Sequence, residues 1–499
     1  MQNIDVLSFV LEYFKLSFSQ FNTPSIKLLE EIKGIVGDAG WKDAQDGSRY
    51  FDDPRGRFEG LGCLIALPNS TEQVAAIVSL CNEAKVGIIP YSGGTGVVAG
   101  QMSIESANAI ILSLERMNTV RNISIDDNAM VVDAGCILEN IHAAAQEYGL
   151  MFPLSMASKG SCCIGGNLAT NAGGIEVLRH GNARDLCLGI EAVMPDGTIL
   201  RELSALQKNN TGYDIRHLLI GSEGTLGIIT AATLKLKLID PETATAFLAI
   251  DSPAQALNIY KSVKKHLGAS ISALELMSGH GLSLVTSKFP LLRNPFTQNP
   301  DWALLLEASG PIGISDLLET ALSECFEDGL ILDAVIAQSE SQRDSIWDLR
   351  ENTPEANRMA GAFCSSDTSV PISKVDVFIR DTRNAIRKIH RHAQINTYGH
   401  IGDGNIHHNV LPPAGESKAE FLESNPGIID AVRMAINDAT HFHGGSISAE
   451  HGIGRLKTRD LEVYASKARL NTIKSIKLAL DPNNIMNPGA IIKDLESIY

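Results

Sequence analysis

Residues 153–174 (PLSMASKGSCCIGGNLATNAGG) carry five glycines and few large side chains. Such a segment builds little core of its own, and a connection this long without structure is usually functional. It can lie flat against a large planar ligand and offer backbone hydrogen bonds, with Asn167 and Asn171 adding amide groups. Two more glycine segments share the chain. PYSGGTGVVAG places glycines at 93, 94, 96 and 100, which opens backbone N–H groups to oxygen ligands and permits positive φ. GSEGTLGIIT, 221–230, lets a strand approach a ligand closely. The first of these loops is not spaced G-x-G-x-x-G, and the VVAGQMS after it is not helical. NAD held in the Rossmann manner is therefore not supported. Taken alone, that loop reads equally well as a tight strand connection.

A chain of 499 residues exceeds one ordinary core, so two or more domains are expected. Its 44% hydrophobic and 20% charged residues are those of a globular protein. A net charge of −16 repels phosphate backbones and argues against a nucleic-acid partner. The eight cysteines contain no C-x-x-C pair, which argues against an iron–sulfur cluster or structural zinc and fits core thiols in a reducing compartment. The first twenty residues are apolar but interrupted by Asp5 and Glu12, with no basic residue before them. They read as an amphipathic helix or irregular start rather than a signal peptide. No stretch has the length and purity of a membrane span. A cytoplasmic protein is expected, with peripheral membrane contact left open.

From about residue 58 a βαβ rhythm appears: the strand LGCLIALP, a helix from Thr71 as N-cap, and the strand KVGIIPYS. GIEAVMPDGTILREL reads as a hairpin turning at Asp196-Gly197, and the pattern resets near Asp240-Pro241. The second half alternates strands such as ISALELM and WALLLEASG with helices, which suggests an antiparallel α+β layer. The divisions expected are an N-terminal helical extension over 1–57, a cofactor domain over 58–240, a substrate domain over 241–465, and a helix and tail over 466–499 that return to the cofactor domain.

The densest chemistry lies in YGHIGDGNIHHN, 398–409. Read as a hairpin looping through 402–405, it faces Ile401 with Ile406 and His400 with His407. Opposed Cβ atoms stand roughly 4.5–5.5 Å apart, which suits two imidazoles on one metal. His408 then points to the other face. The plainer alternative is a pair of ordinary histidines near a turn. SISAEHGIG, 446–454, sets Glu450 and His451 side by side, and Glu450 reads alternatively as a helix N-terminal acid. Arg350 in IWDLRENTPEAN reads either as a carboxylate clamp or as a helix-surface residue paired with Glu351 or Asp348.

The three glycine segments in this order resemble the vanillyl-alcohol-oxidase-type flavoproteins, and the wording GSCCIGGNLATNAGG, RHGNARDLCLGIEAVMPDG and GSEGTLGIIT resembles their D-lactate, D-2-hydroxyglutarate and glycolate dehydrogenase branch. The resemblance runs from about Leu61 to the tail. It implies an α+β fold: a two-part FAD-binding domain plus an α+β cap domain with an antiparallel sheet. It also implies FAD held by Ser92, Gly93, Gly94, Thr95 and Gly96, by Gly160, Ser161, Ile164, Gly165, Gly166, Asn167, Asn171, Gly173 and Gly174, and by Glu223, Ile228 and Asn487. The first loop lacks the histidine of covalent members, so the FAD is expected to be noncovalent. His400, His407 and Glu450 are implied as ligands of a divalent metal, with zinc expected and manganese or iron as alternatives. His451 is implied as the base, Arg350 as the clamp on the substrate carboxylate, and Asn409 as a substrate hydrogen-bonding residue; Asp367 and Pro371 resemble a substrate-side strand.

The activity so implied is oxidation of a D-2-hydroxy acid to the 2-oxo acid, with electrons passing to a quinone, an electron-transfer protein or a cytochrome. Members acting on dicarboxylates tend to carry a Thr four residues after the Arg and a Lys before the SVP segment. This chain has Pro354 and Ser365 there, which favours a monocarboxylate such as D-lactate. D-2-hydroxyglutarate or glycolate dehydrogenase is the alternative, as is a non-catalytic flavin subunit. Oligomeric state is open, a homodimer included.

Overall fold

The computed structural model describes residues 22–493 and 495, so the helix expected within the first twenty residues lies outside the described residues. By internal packing the chain divides into two units. The first takes the described residues up to Gly173, then Asn182–Leu238, then the described residues from Glu450. The second takes Gly174–Gly181 and Ile239–Ala449.

In the first unit, short apolar strands Leu64–Ala66, Ile88–Tyr91 and Ile110–Ser113 run parallel, and Trp41–Asp43 joins them antiparallel. The helix Thr71–Ala84 links the first two and buries Val74, Ile77, Val78 and Cys81, spaced to one helical face. Its N-cap is Ser70, whose hydroxyl accepts the Gln73 N–H; Thr71 instead donates to Glu191. A second, antiparallel sheet has the order Val120–Ser124, Ala129–Asp133, Ile228–Lys235, Cys187–Val193, Ile199–Glu202. Its last two strands form the hairpin expected at Asp196-Gly197, where Gly197 has φ +84°.

The second unit holds an eight-stranded antiparallel sheet. Strands Glu242–Ile250, Trp302–Gly310, Ile271–Ser278, Gln394–His400 and Asn405–Leu411 follow in that spatial order, with short strands at the edges. Their near-continuous burial follows from cover on both faces. Leu248, Leu274, Leu276 and Leu304 pack with helices Pro253–Leu267, Ile314–Glu327 and Val375–Ile389. Phe247, Met277 and Leu305 pack with Leu282, Val285, Ile346 and Trp347 on the other side. Segment 174–181 joins this unit because Leu178 packs on its core and Arg179 pairs with Asp240. The return to the first unit comes at Glu450, earlier than the 466 drawn from sequence. Ile453 and Gly454 donate their N–H groups to Glu223 at 2.7 and 2.6 Å, and the Arg455 N–H bonds Val98 O, so this stretch is already committed.

Candidate functional site

An open cleft lies in the first unit, and glycines recur along its walls. Ser92, Gly94, Thr95 and Gly96 line it from the first loop, Gly165, Gly166 and Asn167 from the second segment, and Glu223 and Ile228 from the third. Ser92 joins two of these walls, accepting the Gly166 N–H at 3.1 Å and donating to Ala134 O. Glycine is required by space as well as by φ. A Cβ on Gly93, at φ +82°, would stand 2.7 Å from Ser161 O, and one on Gly166 would stand 2.8 Å from Ser92 O. The other expected residues do not line the cleft. Gly160 and Ser161 sit in an exposed turn and Ile164 is core. Asn171, at φ +50°, accepts the Arg184 N–H, and Asn487 donates to Gly100 O and Glu223 O. Gly173 closes a stretch of the first unit, and Gly174 belongs to the second.

The 153–174 segment is also less featureless than its composition suggests. Ile164–Ala169 is a short helix whose Ile164 and Leu168 enter the core, and Gly165 lets it press on Ala134. This helix presents Asn167 to the cavity. The Asn167 Oδ1 is buried and has no hydrogen-bond partner among the described residues. A donor on a bound group would satisfy it, since a buried polar atom left alone is costly. The glycine-rich walls and this acceptor together fit a large planar cofactor such as a flavin. His451 stands on the same wall. Sequence reading missed Gln101, Cys163 and Thr170, which also line it. Gln101 donates to Gly96 O at 2.8 Å and so braces the loop, but nothing in its local sequence marks it.

The second unit carries its chemistry on side chains. The hairpin register differs from the expected one: His400 opposes Asn405 and Tyr398 opposes His407. The loop is residues 401–404, because Ile401 is drawn into the core, where its N–H bonds Leu274 O. His400 and His407 still share a face, since they lie diagonally across the pair, with ring centroids 5.9 Å apart. The adjacent His408 faces the other way, fully buried against Phe378.

Both histidines are oriented through Nδ1. His400 Nδ1 lies 2.5 Å from the Glu275 carboxylate, and His407 Nδ1 lies 3.3 Å from Ser366 O. A carbonyl and an ionised carboxylate only accept, so each Nδ1 carries the hydrogen and the lone pair falls on Nε2. This is the tautomer of a metal-ligating histidine held by an outer partner, so the donor set fits a divalent metal.

Arg350 does not pair with Glu351 or Asp348; its Nε donates to Glu275 at 2.7 Å. The reason lies in helix Glu340–Glu351, capped by Ser339. Arg343, Trp347 and Arg350 fall at i, i+4 and i+7, one stripe facing the sheet. Arg343 and Trp347 bond Glu307, and Arg350 bonds Glu275 on the neighbouring strand. The Arg350 guanidinium also lies 4.9 Å over the Tyr398 ring. Burial works against the charge on Glu275, but His400 and Arg350 outweigh it and hold the carboxyl down to about 2. Glu275 was not singled out from sequence, although a lone acid inside the apolar ISALELM is a signal. Asn409 is opposed in register by Asn396 and Ser365, and the Ser365 hydroxyl donates to Asn409 Oδ1 at 2.6 Å.

Comparison with known proteins places these observations. Residues 63–202 match the family described as FAD binding domain, and residues 239–491 match FAD linked oxidases, C-terminal domain. The chain is 37% identical over 430 residues to D-2-hydroxyglutarate dehydrogenase of Xanthomonas citri pv. viticola, covering 86% of this chain and 89% of that one. It is 36% identical over 462 residues to a Schizosaccharomyces pombe protein named provisionally as a mitochondrial D-lactate dehydrogenase, covering 89% and 85%. The fold matches p-cresol methylhydroxylase with a TM-score of 0.73 at 16% identity, over 95% of this chain and 98% of that one.

Proposed function

The chain belongs to the FAD-linked oxidases, with the two-domain fold of the vanillyl-alcohol-oxidase type, and from that premise we propose that it oxidises a D-2-hydroxy acid to the 2-oxo acid. One observation carries the reading: His451 stands on the wall of a cavity rich in glycine. FAD, held there without a covalent bond, supplies the hydride acceptor. His451 removes the hydroxyl proton, which an imidazole titrating near neutrality can do. Arg350 pairs the substrate carboxylate, and Glu275 fixes the direction of its guanidinium. Asn409 offers the substrate an amide.

His400 and His407 are the proposed metal ligands, with Glu450 as the third that the resemblance adds. Such a metal, zinc before manganese or iron, would acidify the substrate hydroxyl. The acceptor of the electrons is proposed to be a quinone, an electron-transfer protein or a cytochrome. No helix among the described residues is long and apolar enough to cross a membrane.

A monocarboxylate such as D-lactate is the favoured substrate. Ser365 and Asn396, the cross-strand neighbours of Asn409, add no cation there to pair a second carboxylate. D-2-hydroxyglutarate is the second reading, supported by the name of the Xanthomonas relative. The test is the visible spectrum of the purified protein under anaerobic conditions. D-lactate is expected to bleach the flavin band faster than D-2-hydroxyglutarate or glycolate, and L-lactate is expected not to bleach it. A band that no 2-hydroxy acid bleaches would remove the reading, and equal rates with the first two acids would remove the substrate preference.

A further inference from the structure

Glu275 touches both proposed halves of the substrate machinery in the second unit. Its Oε1 lies 2.5 Å from His400 Nδ1, and its Oε2 accepts from Arg350 Nε at 2.7 Å. The residue is fully buried in the middle of strand Ile271–Ser278, directly opposite His400 in register. A strand backbone cannot shift by one residue without turning every side chain to the other face, so this placement is stiff. Arg350 arrives from a helix fixed by its own bonds to Glu307, through Arg343 and Trp347.

We propose that Glu275 is the positioning residue of the site, setting the tautomer of His400 and the orientation of Arg350 with a single carboxylate. The inference rests on the metal-assisted reading above and deepens it. A carboxylate can only accept, so it forces the His400 hydrogen onto Nδ1 and the lone pair onto Nε2. The same group holds the guanidinium by Nε, which directs the Nη edge, the edge able to form a two-pronged bond with a substrate carboxylate. An amide in its place has one accepting and one donating end. It could keep Arg350 or the His400 tautomer, but not both.

The test uses the full-length, FAD-loaded protein and its Glu275→Gln variant. Zinc affinity, read by competition with a chromogenic chelator, is expected to fall 10–100-fold, the usual size of an outer-partner loss. The KM for D-lactate is expected to rise together with a lower kcat, since the clamp and the metal ligand are both disturbed. Zinc affinity within twofold of wild type, in a variant with an unchanged flavin spectrum and melting temperature, would overturn the proposal while leaving the metal reading standing. Wild-type protein that binds no zinc would remove the metal reading and this inference with it. Should the variant fail to fold, the wild type answers alone. In zinc-free protein labelled with 15N-histidine, with His400 assigned by its loss in His400→Gln, the ring is expected to carry its hydrogen on Nδ1. A hydrogen on Nε2 would overturn the proposal.

Discussion

Two carboxyls of the second unit, both taken largely out of water, are driven in opposite directions. Glu275 is held down to about 2, while Glu176 is pushed up to about 7. Burial opposes the charge in both cases. Around Glu275, the Arg350 guanidinium and the His400 ring make direct hydrogen bonds that outweigh it. Around Glu176, the neighbouring Glu307 charge adds to the effect of burial, and Arg179 and Arg343 offset it only in part. Those two arginines are occupied by Asp240 and Glu307, and the Glu176 Oε2 has no hydrogen-bond partner among the described residues. What decides the protonation of a buried acid here is therefore contact with a cation, not depth. The sheet face that carries His400 is built to keep charge, and the 174–181 segment is not.

The largest expected effect lies outside this pair and sets the scale for it. His451→Ala should slow flavin reduction by D-lactate by about 10²–10⁴, with the bound-flavin spectrum retained. Reduction at the wild-type rate would show that His451 is not the base. Next, Arg350→Ala strips Glu275 of its guanidinium partner. It should cost about 2–5 kcal/mol in kcat/KM and lower the urea midpoint as well, because a buried charge loses its partner. If stability does not change, Glu275 does not depend on Arg350, and the contrast between the two carboxyls loses its explanation.

Glu176→Gln tests the other side. In the folded protein Glu176 keeps its proton up to about pH 7, whereas an unfolded chain releases it near 4.5. The folded state thus binds more protons in between, so this contribution is full below pH 4.5 and is lost as pH rises through 7. The variant should match wild type at pH 4.5 and exceed it at pH 8 by up to about 3 kcal/mol, read from urea midpoints. A difference that does not change with pH would remove the assignment. The smallest effect is expected from Ser365→Lys, which adds a cation beside the uncharged Asn409. It should shift the kcat/KM ratio toward D-2-hydroxyglutarate by about tenfold, the size of one hydrogen bond to a charged group. An unshifted ratio would place the distal end of the substrate away from Asn409.

The same contrast explains what could be read from the sequence. The cavity is rich in glycine, which is visible in the sequence: Gly94, Gly96, Gly165 and Gly166 all line it. The histidine face is made of side chains whose partners are distant in the chain, 125 residues for His400 and Glu275. Its register was misread because Ile401 was assigned to the hairpin ladder, whereas the core claims it. Gly399, at φ +153° and with no room for a Cβ beside Asn405 O, marks where the strand departs from regular geometry. Likewise, 174–181 falls in sequence inside the cofactor domain drawn over 58–240. Only the packing of Leu178 and the Arg179–Asp240 pair assign it to the second unit.

The stretch from Glu450 onward has a consequence for biogenesis. Among the described residues none beyond His451 lines the cavity, yet Ile453 and Gly454 bond Glu223, Arg455 bonds the carbonyls of Ala99 and Gly100, and Asn487 bonds both walls. During synthesis the glycine loops leave the ribosome hundreds of residues before the groups that brace them. The nascent chain therefore carries an unfinished pocket until the stretch from Ile453 to Asn487 has followed the glycine loops out of the ribosome.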